Sequence, residues 1–405
     1  MTPTTPLGHR PAARLAGEHL LPWHIAVEKA RLLEYQRMRL LSKQEAADIG
    51  RLLHDAGRAV TITGAGTAPD VATALEQWAR ERLRDTPGRW HAGGGRTDVR
   101  ACAEALFTRD RLARAGDCLV ALGRSAVALA RRTTHLPMAG PDRQLITPGF
   151  YFAAVADQVV RSGRRLLYTY DLGNTAALGA GDGNGQDPAF DRDRMARLLG
   201  CAAATPHALD AVASGSWILE PAGELATVAV AVSRYVTDLS AWGDAGYLDL
   251  PGEIAGVATD RPFPVLDQAR VRTSHLIALA TALSLSRRGV AFGAGAPAAV
   301  DHRLPELFDT FDGMIRLLTA VFDRLEFRAD RMRAACEQGV DDDVDSALHR
   351  NLTGGSAHPD AVRALSTRQF SELGEISRGW SERAAVRRAG LAEADRLLGL
   401  GHLTP

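Results

Sequence analysis

Lysine is almost missing from this chain. Of its 48 basic side chains only Lys29 and Lys43 are lysines, the rest being arginine, so a mechanism built on a catalytic lysine has almost nowhere to place one. Cysteine is scarce as well. Cys102, Cys118, Cys201 and Cys336 lie far apart without C-x-x-C spacing, a pattern that gives neither a zinc knuckle nor a disulfide framework and reads as reduced thiols in a cytoplasm. No apolar run reaches the length of a membrane span, and residues 1–13, rich in Pro and Thr, lack the apolar core of a signal peptide. A cytoplasmic protein without a membrane partner is expected. Excess charge is missing too: 48 acidic residues balance 48 basic ones, which removes the electrostatic reason to expect nucleic acid or an anionic membrane. Binding is expected at a local site for a small molecule.

What is present is ordinary globular material. The 405 residues are 46% hydrophobic and 24% charged, enough for two or three domains and a sizeable core. Apolar residues recur at helical spacing over 25–41. Ser42 with Glu45 three positions on forms a capping box for a second helix, and a third is expected over 69–83, where Pro69 and Asp70 suit a first turn. Long helices are predicted over 98–132, 148–167, 209–243, 264–287 and 304–325, lengths that occur when helices lie side by side in a bundle. Residues 59–63 and 166–170 are weak strand candidates. After Met332, shorter helices are expected, separated at 339–343, 353–359 and Gly379. The expected division is an N-terminal helical domain 1–97, a central bundle 98–332 and a small C-terminal helical domain 333–405.

Two local patterns read as structure rather than chemistry. Gly181 to Gly185 lacks the preceding strand and the Lys or Glu of a phosphate or calcium loop, and is read as a turn. The acidic run at 341–345 reads as a solvated loop. No metal-ligand spacing such as H-x-x-x-H is found, so no metal and no cofactor are expected.

Several segments, in order, resemble argininosuccinate lyase of the aspartase/fumarase superfamily. Trp90-His91-Ala92-Gly93-Gly94-Gly95-Arg96-Thr97-Asp98 resembles L-H-T-G-R-S-R-N-D, and Thr134-His135-Leu136 resembles Y-T-H-L-Q. Leu178 to Gly181, Asp191 to Arg194 and Leu198 to Gly200 resemble L-G-A-G, D-R-E-R and L-L-G. Leu209 to Val212, Ile218 to Glu220, Ser233-Arg234, Asp238-Leu239, Trp242 and Leu248 to Pro251 resemble further family segments. The resemblance implies an all-α, three-domain fold with a long central helical bundle, assembled as a homotetramer whose sites are shared between subunits. It also implies anti elimination from a succinyl group: a base takes the Cβ proton, cations hold the carbanion, and an acid protonates the leaving nitrogen.

The departures concern chemistry. The family's G-S-S-x-M-P-x-K-x-N-P loop supplies a serine base and a lysine, whereas this chain reads Gly256-Val257-Ala258-Thr259-Asp260-Arg261-Pro262-Phe263-Pro264. An alkyl side chain accepts no proton. Asp260 is the replacement acceptor, with Thr259 beside it and Arg261 available for a carboxylate. Arg270 stands where the family places the glutamate partner of the histidine, reversing charge beside His135. The candidate catalytic residues are therefore His135, Asp260 and Thr259, and the candidate substrate-binding residues are His91, Arg96, Thr97, Thr134, Arg261 and Arg270. Asp98 is a candidate cap of the following helix, and His275 is expected to pack. The expected function is an elimination, conjugate addition or cyclisation on a small carboxylated substrate in specialised metabolism, not argininosuccinate cleavage. The alternative is a non-catalytic binding or scaffolding oligomer.

Overall fold

The computed structural model describes residues 17–58, 70–85, 87–92, 95–139, 145–187, 189–254, 257–258, 263–289, 302–338 and 358–401. Its helices are α1 Leu21–Arg37, α2 Lys43–Arg58, α3 Val71–Arg82, α4 Thr97–Arg132, α5 Pro148–Leu172, α6 Arg192–Leu198, α7 Ala208–Ala213, α8 Ser216–Asp244, α9 Pro264–Ser286, α10 Arg303–Arg324, α11 Ala329–Glu337 and α12 Pro359–Leu397. Strands among the described residues are two-residue pairings at the ends of helices, such as Leu248–Asp249 with Glu326–Phe327. The fold is all-α.

Six long helices form the bundle, and named contacts fix their directions. Gly149, at the start of α5, donates its amide to the carbonyl of Thr133 just past α4, while Arg109 early in α4 reaches Tyr170 late in α5, so these two run antiparallel. Tyr151 of α5 donates to Asp238 of α8 at 2.6 Å, and Arg165 meets Glu224, which reverses direction again. Arg270 of α9 donates to Ser240 of α8, and Arg287 after α9 reaches Glu104 near the start of α4. Arg111 and Arg132 of α4 reach Asp309 early in α10 and the Leu325 carbonyl after it, and Gln369 and Trp380 of α12 meet Ala153 and Tyr170 of α5, so α4, α8 and α10 point one way, and α5, α9 and α12 the other.

Buried aromatics fill the space between them. Phe152, Phe308, Phe311 and Phe322 are fully buried, with Phe152 edge-on to Phe322 at 5.1 Å; each contributes roughly 1.5–3 kcal/mol. Trp380 of α12 lies against Gly116, where an added Cβ would come within 2.2 Å of the indole. The indole needs that gap. Helix α1 is buried over most of its length although it carries Glu28, Lys29, Arg31 and Glu34. Ion pairs compensate this burial: Lys29 meets Asp395 of α12 at 2.5 Å, and Glu34 meets Arg194 of α6 and Arg37.

Most expected helices are present. The capping box at Ser42 forms in both directions, at 2.7 and 3.2 Å, and Asp70 caps α3 by accepting from the Thr73 amide. The helix expected over 209–243 is instead two, because Gly215 takes φ 63° and starts α8 anew. Residues 166–170, weighed as a strand, lie inside α5: in an isolated segment aromatic and β-preferring residues mimic a strand, but here bundle packing decides. Gly379 does not break the C-terminal region, because it sits inside the 39-residue helix α12, where packing on α4 and α5 outweighs its low helix propensity. The strand candidate at 59–63 and the acidic run at 341–345 lie outside the described residues.

Candidate functional site

A cavity of about 220 Å³ opens where α1 and α3 meet the first turn of α4. Its floor is an ionic network. Arg31 donates to Glu28 at 2.6 Å and to the Tyr35 hydroxyl at 2.7 Å, and that hydroxyl donates to the carbonyl of Ala92. The turn carrying His91 is therefore tied to α1. His91 sits at φ 69° and lies 3.3 Å from both Glu28 and Glu76. Arg96 spends its fork within the protein, on Thr73 at 2.5 Å and Glu76 at 3.1 Å.

Electrostatics follow from this geometry. Burial opposes ionisation of Glu28, but Arg31 and His91 outweigh it and hold the carboxyl well below its usual range. Glu76 is lowered to about 2, chiefly by its hydrogen bond with His91. Burial would lower His91, yet the carboxylates of Glu28 and Glu76 raise it above the ordinary value. The imidazolium form is favoured. Asp98 is buried and pushed up to about 6 by desolvation, against the pull of Arg31 and of its backbone donors. It accepts from the amides of Val99, Gly179 and Gly181. Asp98 lies inside α4 rather than at its cap position, and it fastens the 179–185 turn to the helix.

The structure separates the sequence candidates into two groups. His91, Arg96 and Thr97 gather at the start of α4, where Thr97 donates to Asp182. Thr134 and His135 lie just past its other end, Thr134 buried and His135 exposed. Thirty-six residues of helix stand between the groups, about 54 Å at 1.5 Å per residue. Arg270 shares the His135 end, but it donates to Asp267 at 2.9 Å and to Ser240. Thr259, Asp260 and Arg261 lie outside the described residues; their flank Phe263 packs on Gly243 near the end of α8. His275 does not pack as expected. It is exposed and pairs with Glu306 at 2.8 Å. An open cleft of about 700 Å³ adjoins the His135 end, lined by Arg132, Thr133, Leu136, Asp323 and Phe327.

Known proteins resemble the chain in sequence and share its frame. No protein-family model matches the chain. The argininosuccinate lyase of Lachnospira eligens is 26% identical over 289 residues, covering 69% of this chain and 63% of that enzyme. The chain therefore spans less than two thirds of that relative's length. The argininosuccinate lyase of Bordetella pertussis is 28% identical over 360 residues, covering 80% of this chain and 72% of the enzyme. Among solved structures, an EDDS lyase variant with bound fumarate superposes with a TM-score of 0.81 at 16% identity, over 96% of this chain and 93% of that one. The chain is similar in sequence to argininosuccinate lyases and shares the fold of EDDS lyase.

The sequence motifs point to His91, Arg96 and Thr97 but not to the groups that hold them. Glu28, Arg31 and Glu76 carry no motif, and a charged residue on a helix ordinarily faces water. A signal existed: Glu28, Lys29 and Arg31 interrupt a segment in which Ile25, Val27, Ala30, Leu32 and Leu33 are all apolar, leaving no fully polar face for the charges. His24 and Arg100, which also line the cavity, carried no motif.

Proposed function

We propose that this protein is a lyase-fold enzyme acting on a small carboxylated substrate, by elimination, conjugate addition or cyclisation, and that it is not an argininosuccinate lyase. The observation that carries this reading is the arginine- and histidine-lined cavity at the start of α4, set in a frame similar to lyases but without the serine and lysine of the family loop. In the elimination direction a base removes the proton beside the substrate carboxylate, and the electron pair forms the new double bond as the leaving group departs with a proton from an acid. Asp260, beside Thr259, is the proposed base and His135 the acid. Arg96, Thr97, His91, Thr134, Arg261 and Arg270 are proposed to bind the substrate, the cations offsetting the developing negative charge.

The two groups lie too far apart to serve one molecule within one chain, so the site is proposed to be shared between copies in a homotetramer. Two exposed helix faces support this. On α8, Gly223, Thr227, Val230, Arg234, Thr237 and Ala241 are exposed, and on α9 Val271, Ser274, Ala278, Thr281 and Leu285. Their alternating three- and four-residue spacing is that of a helix-packing seam, and Val271 and Leu285 are 68% and 54% exposed. A cytoplasmic place in a specialised biosynthetic route accompanies this reading. The second reading, a non-catalytic oligomer, draws on the engagement of Arg96 with Glu76 and Thr73. Purified protein incubated with argininosuccinate is expected to release no fumarate, followed by ultraviolet absorbance; steady release would refute the proposal. Among other succinyl or fumaryl substrates, a turnover that His135→Asn abolishes would favour the enzyme over the scaffold.

A further inference from the structure

The ions at the start of α4 pair with one another, with one exception. Glu28 is held by Arg31 and His91, Glu76 by Arg80, Arg96 and His91, and Asp70 caps α3. Arg100, one turn into α4, lines the same cavity, and its side chain has neither a hydrogen bond nor an ion pair among the described residues. On α1, His24 is 2% exposed and its Nδ1 has no hydrogen-bond partner. Burial lowers its pKa to about 4, so the imidazole is neutral at pH 7. Two unmet polar groups, a cation and a neutral imidazole, therefore face one cavity. A buried polar atom without a partner is unfavourable and calls for a molecule that meets it.

We infer that Arg100 anchors a carboxylate of the substrate in this cavity and that His24 Nδ1 hydrogen-bonds a polar group of the same molecule. This rests on the reading of the ligand as a small carboxylated molecule and adds the residues that select it. A single carboxylate matches one unpaired guanidinium in charge and in its planar two-pronged geometry. A dianionic phosphate fits less well, because Glu28, Asp70 and Glu76 line the same space. The volume of about 220 Å³ suits a small acid and excludes a nucleotide. Arg100 lies beyond the 90–98 motif, so the resemblance to argininosuccinate lyase does not supply this role.

The test is calorimetric titration of the intact oligomer with sodium fumarate, and with fumaramide as an uncharged counterpart. Fumarate is expected to bind, and fumaramide to bind about tenfold more weakly or worse. Arg100→Gln is expected to raise the fumarate Kd by about tenfold or more, with Arg100→Lys recovering part of it. His24→Phe, which keeps the ring and removes Nδ1, is expected to weaken fumarate a few-fold. The melting temperature of each ligand-free variant should stay near that of the wild type, since neither side chain has a partner to lose. Unchanged fumarate binding in Arg100→Gln, with wild-type binding intact, overturns the Arg100 assignment and leaves the carboxylated-substrate reading standing. Unchanged binding in His24→Phe overturns the His24 part. Failure of the wild type to bind fumarate, succinate and acetate alike overturns both this inference and the reading beneath it.

Discussion

His91 carries a positive φ and two carboxylate neighbours, and these constraints make its charge a structural element of the cavity. Its folded pKa is raised by Glu28 and Glu76 against the opposing effect of burial. A raised histidine contributes stability that is fully present below the unfolded value of 6.5 and is lost as pH rises through the folded value. His91→Gln is therefore expected to lower the melting temperature most at about pH 6, by the equivalent of roughly 1–3 kcal/mol, and progressively less as pH rises through the raised folded value. A melting-temperature gap that does not change with pH would contradict the imidazolium assignment. At this scale the sequence was legible where a motif carried it, at His91, Arg96 and Thr97. It was silent about Glu28, Arg31 and Glu76, whose role depends on which helix faces which, and residue type alone does not encode that.

The helices were more legible than the side chains between them, because amphipathic spacing survives in any bundle while helix boundaries depend on neighbours. The capping box at Ser42 and Glu45 formed as expected, since every participant lies within one turn. The break at Gly215 and the uninterrupted passage through Gly379 were not legible, as glycine ends one helix and is tolerated in another according to what packs beside it. Gly149 shows how close that packing is. A Cβ there would come within 2.7 Å of both the Ala130 carbonyl oxygen and Thr134 Cα, so α5 fixes the turn bearing His135 by backbone contact. Gly149→Ala is expected to destabilise the fold by about 1–3 kcal/mol, read as a lower melting temperature. It should also shift any catalytic signal that depends on His135, with Arg100-dependent ligand binding far less affected. An unchanged melting temperature would show that the two helices have more room than the geometry allows.

In the whole molecule, the candidate residues occupy both ends of a helix about 54 Å long, and no hinge among the described elements brings them together. The motifs show these residues in order along the chain but not their separation, because distance along the chain does not fix distance in space. The exposed seams of α8 and α9 supply a physical reason for copies to associate: apart from Arg234, each leaves small or apolar side chains facing outward at helix-packing intervals. Native mass spectrometry of the full chain, compared with a variant carrying Val230→Glu and Val271→Glu, tests this most directly. A mass of four protomers is expected for the wild type and smaller species for the variant, with helical content retained. A wild type that remains a monomer at micromolar concentration would contradict it, leaving the two halves of the candidate site with nothing to join them.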